Sequence, residues 1–157
     1  MQDTAALFHE GLQLYGEQRY DGAFPLLTEA AEGGHAGAQC LLGYCYFYGQ
    51  GTAQNESQAV LRFMDAAAGG DADAQCRLGW CYFTAYGGLA QHFDRAAALF
   101  AKAAAQGHPA AQNNLGLCYE RGRGVPKDLA AAIEWYKKAA AQGNPDAIGN
   151  LERLGCR

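Results

Sequence analysis

Six cysteines and four histidines are the residues of this 157-residue chain whose types could do chemistry. Thiolates and imidazoles act as nucleophiles or metal ligands, and a metal site needs several of them together. His9, His35, His92 and His108 are scattered, and no two stand four residues apart, the spacing that aims two imidazoles at one zinc ion from a helix. Cys40, Cys45, Cys76, Cys81, Cys118 and Cys156 include no Cys-x-x-Cys pair. Cys40 and Cys45 are about 140° apart around a helix, so they diverge and do not bridge there. Gly49-Gln50-Gly51 and Gly122-Arg123-Gly124 would cradle a phosphate behind a strand; no strand precedes them, so they read as turns. No nucleophile, base and orienting acid stand together in a motif. The sequence predicts a non-enzymatic chain with no catalytic residue, no metal and no cofactor.

The composition says what carries these residues. Half of them are hydrophobic and only 18% are charged, which suits a folded domain or short repeat array and not a disordered segment. With 32 alanines and 21 glycines, closely packed helices are favoured over sheet. Twelve basic against sixteen acidic residues give a net charge of −4, so no nucleic-acid partner is expected. No run of 18 apolar residues is present, so membrane insertion is not expected. The first twenty residues lack a basic start and an unbroken apolar segment and do not read as a signal peptide. The expected location is cytoplasmic as the chain stands, and periplasmic or secreted if a signal peptide was removed.

Internal repeats set the architecture. Ala38-Gln39-Cys40-Leu41-Leu42-Gly43-Tyr44-Cys45-Tyr46 aligns with Ala74-Gln75-Cys76-Arg77-Leu78-Gly79-Trp80-Cys81-Tyr82 and with Ala111-Gln112-Asn113-Asn114-Leu115-Gly116-Leu117-Cys118-Tyr119, at offsets of 36 and 37 residues. A second signature recurs four times, ending in Gly34, Gly70, Gly107 and Gly143. Each unit reads as two helices. Ala38, Leu42 and Tyr46 lie on one face of the first, at i, i+4 and i+8. The second ends in an alanine pair followed by glycine at C′. Asp71 and Asn144 sit at N-cap positions, with Pro109 and Pro145 at first helical positions and His35 and His108 in one turn slot. Gly43, Gly79 and Gly116 inside helices cost about 1 kcal/mol each against alanine, which close approach of a neighbouring helix justifies. Around them Tyr46, Tyr82 and Tyr119 from first helices, and Phe63, Phe100 and Tyr136 from second helices, fill the space. The first unit is shorter, and its Pro25 is expected in the first turn of a second helix. The expected division of one domain, 1–157, is into units 3–34, 35–70, 71–107 and 108–143 with a cap at 144–157. Equivalent cysteines on stacked helices would be about 8–10 Å apart, long for a disulfide, so the thiols read as reduced packing residues.

The pattern resembles the Sel-1-like repeat family, relatives of tetratricopeptide repeats. Ala111, Leu115-Gly116, Tyr119, Gly122-Arg123-Gly124-Val125, Asp128, Ala132, Trp135-Tyr136, Lys138-Ala139-Ala140 and Gln142-Gly143 carry it most fully. His92 stands where Asp128 does, and Leu99-Phe100 and Arg62-Phe63 replace the Trp-Tyr pair. The resemblance implies an all-α fold: a right-handed α-solenoid of antiparallel helix pairs, about four repeats plus a C-terminal capping helix, with first helices lining a concave face. It implies a non-catalytic scaffold or adaptor, of which a bacterial immunity or virulence adaptor is a special case. A cysteine-rich branch of the family bridges the two helices of a repeat and is associated with β-lactam binding or weak β-lactamase-type activity. Here the second helices hold no cysteine and no Ser-x-x-Lys motif is present. Self-association through the open ends of the array is a further expectation.

First helices carry a second stripe, about 200° from the Ala38, Leu42 stripe, where a simple amphipathic helix would be polar. It comprises Cys40, Tyr44, Phe47 and Tyr48, then Cys76, Trp80, Phe83 and Thr84, with Phe8, Leu12 and Tyr15 in the first unit. In the last full unit it turns polar, with Asn113, Leu117, Glu120 and Arg121. One reading is an aromatic groove that accepts a peptide or helix of a protein partner, since Tyr and Trp offer broad contact with a polar tip. The other is that first helices pack on several neighbours and both stripes are buried.

Overall fold

The structure, a computed structural model, describes residues 3–156. Among the described residues it holds nine α-helices, one 3-10 turn and no strand. They form two compact units. The first, residues 3–74 and Tyr86–Leu89, holds α1 (Thr4–Gly16), α2 (Tyr20–Glu32), α3 (Ala36–Tyr48), α4 (Glu56–Ala68) and the 3-10 turn Tyr86–Gly88. The second, Gln75–Ala85 with residues 90–156, holds most of α5 (Ala72–Thr84), then α6 (Phe93–Ala105), α7 (Pro109–Arg121), α8 (Leu129–Ala141) and α9 (Pro145–Arg153).

Local chemistry sets the helix ends. Asp71 Oδ1 accepts from the Ala74 N–H at 2.8 Å and Asn144 Oδ1 from that of Ala147 at 2.9 Å, as their positions predict. The turn histidines do the same work. Nδ1 of His35 and of His108 each accept from a backbone N–H three residues on, at 3.2 Å, and His92 does so at 3.3 Å. Gly34, Gly70, Gly107 and Gly143 take φ between +82° and +88°, the left-handed geometry that ends a helix. Pro25 departs from expectation. The turn before α2 is short, with Gln18 at φ +60°, so the helix begins at Tyr20 and Pro25 falls in its interior, not its first turn. The Asp21 carbonyl therefore has no helical N–H to accept from.

The interior glycines are receptor sites for rings. A Cβ at Gly43 would lie 2.6 Å from the Phe63 ring, one at Gly79 2.8 Å from Phe100, and one at Gly116 2.6 Å from Tyr136. The ring of the second helix thus beds against bare backbone of the first, which explains glycine at a helix interior despite its propensity cost. In the first unit the core runs through Leu7, Leu27, Leu42 and Cys45; in the second, Tyr136 is joined by Ala132, Ala139 and the Ala147 of α9.

Candidate functional site

In the first unit the second stripe grades from buried to exposed. Cys40 is buried at its base, Tyr44 and Phe47 are half-buried, and Tyr48 is 55% exposed. The Tyr44 hydroxyl donates to Asp73 Oδ2 at 2.6 Å, and the Cys40 thiol reaches the same oxygen at 3.7 Å. Tyr44 and Tyr48 stack with ring centroids 6.1 Å apart; Phe47 stands edge-on to Tyr48 at 4.8 Å and meets Tyr86 of the 3-10 turn at 5.2 Å. Gly87 presses that turn onto α4 at Val60. On α1, Phe8 stacks on His35 at 4.1 Å, and Leu12 is 43% exposed. Tyr15 donates to Gln50 Oε1 at 2.6 Å, and burial pushes its hydroxyl up to about 12. The face is thus partly core and partly surface, between the two readings of the sequence.

In the second unit, Trp80, Phe83, Phe100, Asn114 and Leu117 line a hollow of about 250 Å³. Phe83 is held by Phe93 at 5.0 Å. Asn114 and Leu117 also border a more open hollow of about 490 Å³, with Arg121 of α7 and Asn150 of α9. Glu120 is turned to structural use: the Tyr136 hydroxyl donates to its carboxylate at 2.6 Å and Arg153 at 2.8 Å. Burial opposes its charge, but those hydrogen bonds and the Arg153 charge outweigh it and hold the carboxyl below its ordinary value. Arg121 is exposed.

Asp73, Tyr86, Asn114 and Arg153 were not singled out from sequence. Gly37 and Ala110 occupy the positions equivalent to Asp73, so periodicity gives no signal for it. Gln75 and Gln112 did carry a signal, the recurring Ala-Gln pair. Gln142 Nε2 donates to Gln112 Oε1 at 2.9 Å, and Gln106 Nε2 to Gln75 Oε1 at 2.9 Å. Both acceptors are 6% exposed, so these bonds supply donors to buried amide oxygens.

All six cysteines are free, five of them buried. Burial pushes the Cys45 and Cys118 thiols up to about 11 and Cys81 to about 12, away from reactive thiolate. No group of three His, Cys, Asp or Glu side chains among the described residues could hold a metal ion. None of the described helices is long and apolar enough to cross a membrane.

The family model described as Sel1 repeat matches residues 36–61, 72–108 and 109–144. The chain belongs to the Sel1 repeat family. The Sel1 repeat protein from Oxalobacter formigenes is 30% identical, with a TM-score of 0.83 over 92% of this chain and 59% of that one. The c5321 protein, described as a protective antigen present in uropathogenic Escherichia coli strains displaying an SLR fold, is 31% identical with a TM-score of 0.86, covering 98% of this chain and 34% of its own. This chain therefore spans about three fifths and one third of those two proteins. Helicobacter pylori cysteine rich protein B is 23% identical, with a TM-score of 0.63 over 80% of this chain and 94% of that one, a likeness of fold. No curated protein matches the chain. The fold class is the all-helical solenoid of paired helices these Sel1 structures share. Sel1 repeats are generally protein-interaction scaffolds and typically non-enzymatic.

Proposed function

We propose that this Sel1 chain is a non-catalytic interaction module that binds a peptide or helix of a protein partner on the aromatic faces of its first helices. The observation that carries this is the ridge on α3: Tyr48 is 55% exposed, yet it is propped by Tyr44 and Phe47. Aromatic surface held in place before a partner arrives loses little side-chain freedom on binding, which is what a contact hot spot requires. Leu12 extends the exposed apolar surface of the same unit.

Tyr48→Ser and Leu12→Ser test the reading, because both side chains are exposed and their loss spares the core. The expected result is an unchanged melting temperature with partner affinity at least about tenfold weaker, a loss of about 1.4 kcal/mol or more. Partner binding that survives both changes would overturn the assignment.

A further inference from the structure

Two exposed leucines belong to neither the core nor the aromatic faces. Leu61, 51% exposed, lies on α4 of the first unit, and Leu129, 46% exposed, opens α8 of the second. Both stand on second helices, and the charge around them differs in sign. The first unit carries ten acidic against two basic residues, a net −8; the second carries ten basic against six acidic, a net +4, and together they give the chain's −4. Both basic groups of the first unit are already engaged, Arg19 by Glu17 at 3.4 Å and Arg62 by Asp65 at 3.8 Å. Asp21, Glu29 and Glu32 share one exposed face of α2, and no cation stands within 4.0 Å of them among the described residues. In the second unit, Arg95 and Lys102 share one exposed face of α6, and Lys137 and Lys138 are exposed on α8. Lys137 pairs with Glu134 at 3.4 Å, but rings hold two of the others: Arg95 lies over Tyr82 at 5.6 Å and Lys138 over Trp135 at 4.3 Å. A ring positions a cation without cancelling its charge.

We propose that these faces dock on one another between two copies of the chain: α2 and α4 in the first unit of one copy meet α6 and α8 in the second unit of another, with Leu61 and Leu129 as the apolar anchors. Charge complementarity names the occupant, because one chain supplies both members of the pair. A nucleic acid would suit the cations but is repelled by the −8 of the first unit. A basic protein would suit the acidic face and leave the cationic one uncovered. The −4 on each copy opposes association in other registers, and two like faces repel, so charge selects the pairing of unlike faces. The cations that rings already hold lose little freedom on docking. The contact is heterologous, since the two surfaces that meet are different. It uses helix faces rather than the open ends of the array, and it is independent of the aromatic-face reading.

Sedimentation of the full chain over a concentration series, below about 0.05 M and above about 0.5 M salt, provides the test. Association is expected at low salt and a single-chain mass at high salt. A single-chain mass under both conditions, or association indifferent to salt, would overturn the proposal. Two charge-reversed variants then assign the faces: Glu29→Lys with Glu32→Lys, and Lys102→Glu with Lys138→Glu. All four side chains are exposed, so the melting temperature should not change. Each variant should associate with itself at least about tenfold more weakly than the parent chain. An equal mixture of the two should recover association, because the unaltered face of one meets the unaltered face of the other. Undiminished self-association of either variant, or no recovery on mixing, would overturn the assignment. Leu61→Ser and Leu129→Ser leave the charges intact and decide the matter if a reversed chain fails to fold. Each should weaken low-salt association, and undiminished association in both would likewise overturn it.

Discussion

The same repeat positions build a ridge in one unit and a hollow in the other. On α3 of the first unit, Tyr44, Phe47 and Tyr48 prop one another, and Asp73 ties the Tyr44 hydroxyl. On α5 and α7 of the second unit, Trp80 and Phe83 are accompanied by the shorter Leu117 and Asn114, and about 250 Å³ stays open. The scaffold beneath is alike, a ring on an interior glycine, so the difference lies in side-chain length at positions the fold does not constrain. Shape at these positions can therefore change without disturbing the coil that displays it.

The largest expected effects test how alike the two scaffolds are. Phe63 and Tyr136 are both fully buried, and replacing either with alanine should cost about 3–5 kcal/mol in urea unfolding. Tyr136→Ala should be the worse of the two, because it also strips a donor from Glu120. Equal losses would mean that the Glu120 network adds nothing.

Acid separates the units more finely. Glu120 is held below its ordinary value of 4.5, so its stabilising contribution is complete above that pH and is lost as pH falls through the lower folded value. Tyr136→Phe removes one of the bonds responsible and should cost about 1 kcal/mol at neutral pH. Melting temperatures recorded from pH 7 down to pH 3 should then fall less steeply for the variant than for the parent chain. Parallel curves would exclude the Tyr136 bond as a source of the slope.

The smallest effects concern the histidine caps. Alanine at His35 or His108 should cost about 1 kcal/mol each, and asparagine should restore much of it as another capping acceptor. The restoration should be less complete at His35, whose ring also stacks on Phe8. Thermal melts of the four variants would show this, and identical rescue would discount the stacking.

What was legible in the sequence was whatever repeats. Helix order, the left-handed glycines and the caps at Asp71 and Asn144 follow from local rules that act within a turn. The glycine-ring joints were legible in outline, since glycine inside a helix requires a neighbour at close range. The site was only half legible. Spacing placed Tyr44, Phe47 and Tyr48 on one face and Trp80 and Phe83 on its counterpart, but could not decide how much of each would be covered. That depends on Asp73 and Tyr86, which have no periodic counterpart and come into contact only through folding. Pro25 was misplaced because a shortened turn shifts the helix start, and turn length follows from a local left-handed residue, Gln18, that no motif announces.

The glutamine joint between repeats bears on ancestry. The Gln142 amide rests on Gln112, whose own Nε2 donates to the Ala104 carbonyl of the preceding repeat at 3.4 Å. Such a joint asks only for glutamine at two fixed places, so a gene segment encoding one unit could be copied or excised in frame and the new neighbours would clasp through the same amides. Length in this lineage is then cheap to vary, while each inserted copy is free to drift in the residues it displays.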